Sequence, residues 1–375
     1  MFRNQAVRPV LSSVWFLLEE TTMTIARKQI VAEDQIRNYH CTTRCVRRAF
    51  LCGLDFLTGR NYEHRRLWIK ERLVFLSGIF AVDVVGYSVQ SNHLHVILRT
   101  RPDSAKSLSD QEVATRWLRL FPPIDFKDES DWIPSEALIF AVARDATRME
   151  ICRHRLTDLS WFMRCLDERI ARLANREDQC KGHFWEGRFR CKLLLDEAAL
   201  LTCMAYIDLN PIRAGETQTP EESRLTSAYD RINAFRADTM MERVEKTTEV
   251  VPEETPVPNT ALFEEHQAAD WLCPLNDTAD RKGVFRTIST KEYLFILDIL
   301  GREVQPGKKG SIPPSLEPIL KRVSIDSACW LDTLDGYDGI FRRILGRADR
   351  VMEQAKEAGL KWFQGVRACR QVFGC

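Results

Sequence analysis

The stretch from Val82 to Arg99, VDVVGYSVQSNHLHVILR, constrains this chain more than any other. Two runs rich in β-branched and apolar residues, 82–89 and 93–99, flank the turn formers Gln90-Ser91-Asn92. Runs so close together predict an antiparallel hairpin. Before it, Leu67, Trp68, Leu73 and Leu76 recur at helical spacings within Glu63–Phe80. Asn38–Cys45 reads as a further strand and Gly187–Leu195 as a fourth. Leu156–Ala174 reads as a long amphipathic helix with Leu159, Phe162, Met163, Leu166, Ile170 and Leu173 on one face. The order strand–helix–strand–strand–helix–strand predicts an α+β fold. Residues 102–150, with Pro122 and Pro123, read as an insertion carrying short helices. Asp196 is a good N-cap for a last helix, Ala198–Asn210, which Pro211 is expected to stop.

The rest of the chain sets its organisation. Its 375 residues suit two domains, or one with an appendage. With 45% hydrophobic and 29% charged residues it is neither mainly disordered, collagen-like nor a coiled coil. The longest apolar stretch, Leu73–Val89, is broken by Asp83 and too short for a bilayer span. Residues 1–23 read as an extension without a signal-peptide cleavage site. Residues 24–235 form the main domain. An acidic linker with Pro252, Pro256 and Pro258 spans 236–262. Residues 263–375 read as a smaller, mainly helical region, with helical patterns at Tyr293–Gly301 and Asp338–Lys361. Twelve cysteines include no CxxC pair and no zinc spacing, which fits reduced thiols in a cytoplasmic protein. The net charge of +1 hides 13 Lys/Arg against 6 Asp/Glu between Thr24 and Arg101. That local +7 suits a polyanion, and equally reads as scattered surface charge.

Three segments carry candidate chemistry. His93-Leu94-His95 puts both imidazoles on one side of a strand, with Leu94, Val96 and Leu98 on the other. Two neutral imidazoles can bind a divalent cation with a third ligand, yet the pair alone also reads as two ordinary strand residues. Tyr206 and Asn210 lie four apart on one helix face. The tyrosine reads as packing or as a nucleophile, and the amide offers a neutral oxygen ligand. In Gly182–Arg190, GHFWEGRFR, aromatics and arginines alternate around two glycines. Arginines there suit phosphate and Phe184 or Trp185 suits an unpaired base, while a turn and amphipathic strand is the plain alternative.

Taken in order, YHCTTRC at 39–45, GYSVQSNHLHVILR at 86–99, GHFWEGRFRCKLLLDEAALL at 182–201 and YIDLNPIRAG at 206–215 resemble the HUH single-tyrosine transposases. The resemblance is to the REP-associated tyrosine transposase group of the insertion-sequence-200-like superfamily and spans about 27–235. The family's Met-Pro-Asn before the histidines is here Gln90-Ser91-Asn92. The resemblance implies a ferredoxin-like antiparallel sheet with flanking helices. It implies Tyr206 as nucleophile, and His93, His95 and Asn210 as ligands of Mg²⁺ or Mn²⁺. The implied reaction is attack on single-stranded DNA beside a hairpin, through a 5′-phosphotyrosine, followed by strand transfer. Arg44, Arg47, Arg48, Arg188, Arg190 and Arg213 are the phosphate-contact candidates, with His183 and Trp185 from the same DNA-facing segments. Arg213 equally suits capping of the tyrosine helix. A homodimer that swaps this helix and a monomer acting in cis both fit. So do a palindrome-processing nuclease that does not move itself and a catalytically silent DNA-binding relative.

Overall fold

The computed structural model describes residues 31, 34–46, 51–55, 58–123, 132–217, 219–235, 269–286, 288–304, 344–357, 359 and 369–370. The extension 1–23, the linker 236–262, Arg47, Arg48 and the insertion's 124–131 lie outside them.

One five-stranded sheet organises the chain. Its strands are β1 (Asn38–Arg44), β2 (Val82–Val89), β3 (His93–Thr100), β4 (Arg190–Leu194) and β5 (Ile344–Leu345), in the order β2-β3-β1-β4-β5. The hairpin forms as the pattern predicts, with Val89 opposite Leu94 and Tyr87 opposite Val96. Strand β1 is antiparallel to both β3 and β4. The sheet is mixed rather than antiparallel, because β5 runs parallel to β4. Leu94, Val96 and Leu98 are buried on one face, as their alternation requires. Helices α1 (Arg65–Ile79) and α6 (Leu159–Glu177) pack together, and α1 lies against β2. Asp158 caps α6 by accepting from Ser160 and Trp161 amides. The insertion holds four helices: α2 (Pro102–Ser107), α3 (Asp110–Leu120), α4 (Glu136–Ala143) and α5 (Ala146–Arg155).

Helix α7 (Glu197–Asp208) starts at Asp196, whose carboxylate accepts from the Ala199 amide at 2.8 Å. It lies over the face carrying the histidines. Gly86, at a register shift of β2, allows that approach: a Cβ there would meet Ser227 Oγ at 3.1 Å and Ile207 Cδ1 at 3.3 Å. Of α7's twelve residues, only Glu197 and Tyr206 are not buried. A helix apolar all round must be covered on all sides, and C-terminal residues supply part of the cover.

The helix does not stop at Asn210. Pro211 sits in the first turn of a short continuation, α8 (Asn210–Arg213), whose amides resume with Arg213 N to Leu209 O and Ala214 N to Asn210 O. A proline in a first helical turn forfeits no intrahelical bond.

The described C-terminal residues join the same core. Cys273 N donates to Val84 O beside β2, and the Arg99 guanidinium bonds Asp83 together with the Gly283 and Lys282 carbonyls. Helix α9 (Thr290–Val304) covers Asp208 with Tyr293. Helix α10 (Ala348–Glu357) follows β5. The helical pattern expected over 338–361 is therefore a strand pair at 344–345 and a helix only from Ala348, with 338–343 outside the described residues. Among the described residues no helix is long and apolar enough to cross a membrane.

Candidate active site

Three elements deliver the candidate site. Strand β3 carries His93 and His95 on the face beneath α7. The neighbouring β1 sets Thr42 opposite His95 and Arg44 opposite His93. The end of α7 and its continuation bring Tyr206, Asn210 and Arg213 above them.

The cluster is tight. The His93 and His95 rings meet edge to face with centroids 4.7 Å apart. Tyr206 stands edge-on to His95 at 5.6 Å and to His40 at 6.4 Å. Asn210 Nδ2 lies 3.3 Å from His95 Nε2. The Arg213 guanidinium carbon is 6.0 Å from the Tyr206 ring centroid, at the limit for a cation–π contact. Tyr206 is half-buried, so its ring packs while part of it reaches solvent.

Protonation of the cluster follows from its contacts. Asn92 Oδ1 can only accept, so at 2.6 Å it fixes a proton on His93 Nδ1. His95 is fully buried, and its pKa is pushed well below the usual imidazole range. Burial is the main cause, followed by the repulsion that positive charge on His93, His40 or Lys192 would exert on a charged His95. His95 is thus neutral at neutral pH, the state in which imidazole is a ligand.

These residues fit a divalent cation. Two imidazoles share a face, and one has its Nδ1 held from outside, as metal-bound histidines commonly do. A half-turn of the Asn210 amide exchanges nitrogen for oxygen on the His95 Nε2 edge and completes a three-ligand set. Among the described residues no group of three or more His, Cys, Asp or Glu is arranged to hold a metal.

The other sequence-derived candidates fall on the rim or in the framework. Arg44 and Arg190 are exposed on β1 and β4, and Arg188 and His183 are exposed on the segment leading into β4. Trp185 is half-buried, and its indole N–H donates to Asp167 O at 2.8 Å, which makes it a strut between this segment and α6. The backbone of the segment is tied to β1 by Val46 N to Phe184 O and Glu186 N to Arg44 O. Arg213 sits by Tyr206, at the C-terminal end of the short helix that follows α7.

Three participants escaped the sequence reading. His40 Nε2 is 2.9 Å from His95 Nδ1, and Thr42 Oγ1 is 3.3 Å from both nitrogens. Period-two alternation within YHCTTRC already puts His40, Thr42 and Arg44 on one face. Behind Tyr206 and Asn210, the buried Asp208 accepts from Tyr293 Oη at 2.5 Å, Ser227 Oγ at 2.8 Å and the Ala228 amide at 3.1 Å. Burial still raises its pKa to about 6, against the lowering effect of these donors.

No protein-family model matches the chain, and no curated protein does. Among solved structures, that of a REP-associated tyrosine transposase bound to a REP hairpin is similar at 11% identity and a TM-score of 0.31, covering 52% of this chain and 79% of its own. A likeness at that level says nothing of this chain's chemistry.

Proposed function

We propose that the protein cleaves and rejoins single-stranded DNA through Tyr206, as an HUH-type single-tyrosine transposase. The observation that carries this reading is the convergence of Tyr206 and Asn210 on His93 and His95, from segments more than a hundred residues apart. The strand order supports the ferredoxin-like arrangement that the sequence resemblance implies, since β3 lies between β1 and β2, with β4 on the far side of β1.

In this mechanism DNA lies along the rim formed by Arg44, Arg188 and Arg190, whose charges hold the phosphates. His93, His95 and Asn210 would hold Mg²⁺ or Mn²⁺, which when bound supplies Lewis-acid polarisation of a phosphate oxygen. Tyr206 gives up its phenolic proton to solvent, which its half-buried ring meets, and its oxygen attacks phosphorus. The P–O3′ bond breaks, the leaving oxygen takes a proton as a 3′-hydroxyl, and a 5′-phosphotyrosine remains. Arg213 beside the ring favours the anionic phenolate by its charge. Attack by a second strand's 3′-hydroxyl returns the phosphoryl group to DNA and restores Tyr206.

The test is a denaturing gel of protein mixed with labelled single-stranded DNA taken from the flanks of its own gene, with Mg²⁺ or Mn²⁺ and with EDTA. A metal-dependent labelled protein band is expected, lost in Tyr206→Phe and in His93→Ala/His95→Ala. Tight binding without an adduct on any hairpin substrate would turn the reading to a silent DNA-binding protein.

A further inference from the structure

We infer that His40 is a positioning residue for His95: it accepts the His95 Nδ1 proton and thereby turns the His95 Nε2 lone pair toward Asn210. The inference rests on the reading of His95 as a ligand, and its own evidence is the hydrogen-bond chain.

His40 is 1% exposed on β1, the strand flanked by β3 and β4. A buried imidazole there is costly unless its nitrogens are engaged. Its Nε2 lies 2.9 Å from His95 Nδ1, with ring centroids 5.1 Å apart and the planes 25° apart, as an end-to-end hydrogen bond requires. Two imidazole nitrogens at that distance must share one proton, so one donates and the other accepts. The far side of His95 decides which. Asn210 Nδ2 is 3.3 Å from His95 Nε2, and an amide nitrogen only donates. His95 Nε2 therefore accepts, its ring proton resides on Nδ1, and that proton goes to His40 Nε2. Thr42 Oγ1, 3.3 Å from both nitrogens, flanks this bond on the same strand as His40.

The result matches what Asn92 does for His93. Each histidine is held by a neighbour at Nδ1. Outer partners of this kind fix ring orientation and ligand basicity, and their loss typically weakens metal binding by about 10- to 100-fold. The two partners differ in kind. Asn92 is next to its histidine in sequence, whereas His40 comes from another strand and requires the β1–β3 register to be correct.

The test uses the metal-free full chain labelled with ¹⁵N at histidine. Long-range ¹H–¹⁵N spectra at pH 8 report which nitrogen of His95 carries the proton, and Mn²⁺ titration followed by electron paramagnetic resonance reports affinity. The wild type is expected to show the Nδ1–H tautomer at His95. His40→Gln keeps an acceptor and is expected to keep that tautomer and most of the Mn²⁺ affinity. His40→Met keeps bulk without an acceptor, and is expected to shift His95 toward Nε2–H and weaken Mn²⁺ about 10- to 100-fold. A wild-type His95 protonated at Nε2 overturns the inference without any variant. So does a folded His40→Met with an unchanged tautomer. A wild type that shows the expected tautomer and binds no Mn²⁺ refutes the cation reading while upholding the role of His40.

Discussion

The buried Asp208 makes a pH-dependent prediction that is independent of catalysis. Its carboxylate is fully enclosed, and burial raises its pKa from 3.8 to about 6. Between those values the folded chain keeps a proton that the unfolded chain has lost. The stabilisation is complete below about pH 4 and disappears as pH rises through about 6. A shift of about two units corresponds to roughly 3 kcal/mol. Other groups titrate in this window, so the comparison needed is with Asp208→Asn, which has the same shape and no charge. The wild-type unfolding free energy minus that of Asp208→Asn should fall by roughly 3 kcal/mol between pH 4 and pH 8. Urea unfolding followed by tryptophan fluorescence at several pH values measures it. Tyr293→Phe sharpens the test, because the Tyr293 hydroxyl is the strongest of the influences that lower this pKa. Its loss should cost about 1.5–3 kcal/mol at pH 8, where the carboxylate is charged, and less at pH 4. A difference between wild type and Asp208→Asn that stays flat across the range would refute the reasoning.

Other perturbations probe the supports of the site. Gly86→Ala sets a methyl 3.1 Å from Ser227 Oγ and 3.3 Å from Ile207 Cδ1, so both side chains must give by a few tenths of an ångström; about 1 kcal/mol of stability should be lost, and adduct formation should fall as Ile207 presses on α7, with calorimetry and the gel assay as the checks. Trp185→Phe removes the donor to Asp167 O and should cost about 0.5–1.5 kcal/mol, read as a lower urea midpoint. Arg188→Ala and Arg190→Ala leave the fold intact, and each should reduce the slope of log affinity against log salt for single-stranded DNA by about 0.7. Fluorescence anisotropy across a salt series measures that slope.

What was legible in the sequence follows from the range of each interaction. The 82–99 hairpin was readable because its alternation and its turn are local. So was α7's N-terminus, because Asp196 reaches only to the Ala199 amide. Strand order was not local, and with it went His40. The residue was visible within YHCTTRC, but its partner His95 lies 55 positions away across a strand pairing that periodicity does not encode. Strand β5 was lost for a different reason. Ile344 and Leu345 are two apolar residues just before a helix, and such short runs carry no period of their own. Pro211 misled because its breaking effect holds for a helix interior, whereas here it occupies a first turn. Tyr293 was read only as part of a helical pattern, because nothing near it in sequence points to a carboxylate 85 residues earlier.

The same helix ties the exposed chemistry to that buried acid. Residues 206 and 210 are separated by about 40° around a helix axis, while 208 stands about 200° from 206. Tyr206 and Asn210 therefore face the histidines as Asp208 faces inward, to Ser227, the Ala228 amide and Tyr293. An apolar residue at 208 would hold the helix at its depth, and by the values above would remove an energetic cost near neutral pH. It would not fix rotation about the axis, because dispersion contacts are nearly indifferent to a few degrees of roll. Three directed hydrogen bonds to one carboxylate are not. A roll of about 10° moves a tyrosine oxygen, some 9 Å from the helix axis by side-chain length, by about 1.5 Å, comparable to the displacement at which positioned chemistry fails. The donors come from the start of the helical stretch 227–235 and from α9, so the orientation of Tyr206 depends on residues well beyond the motifs that first drew attention to it.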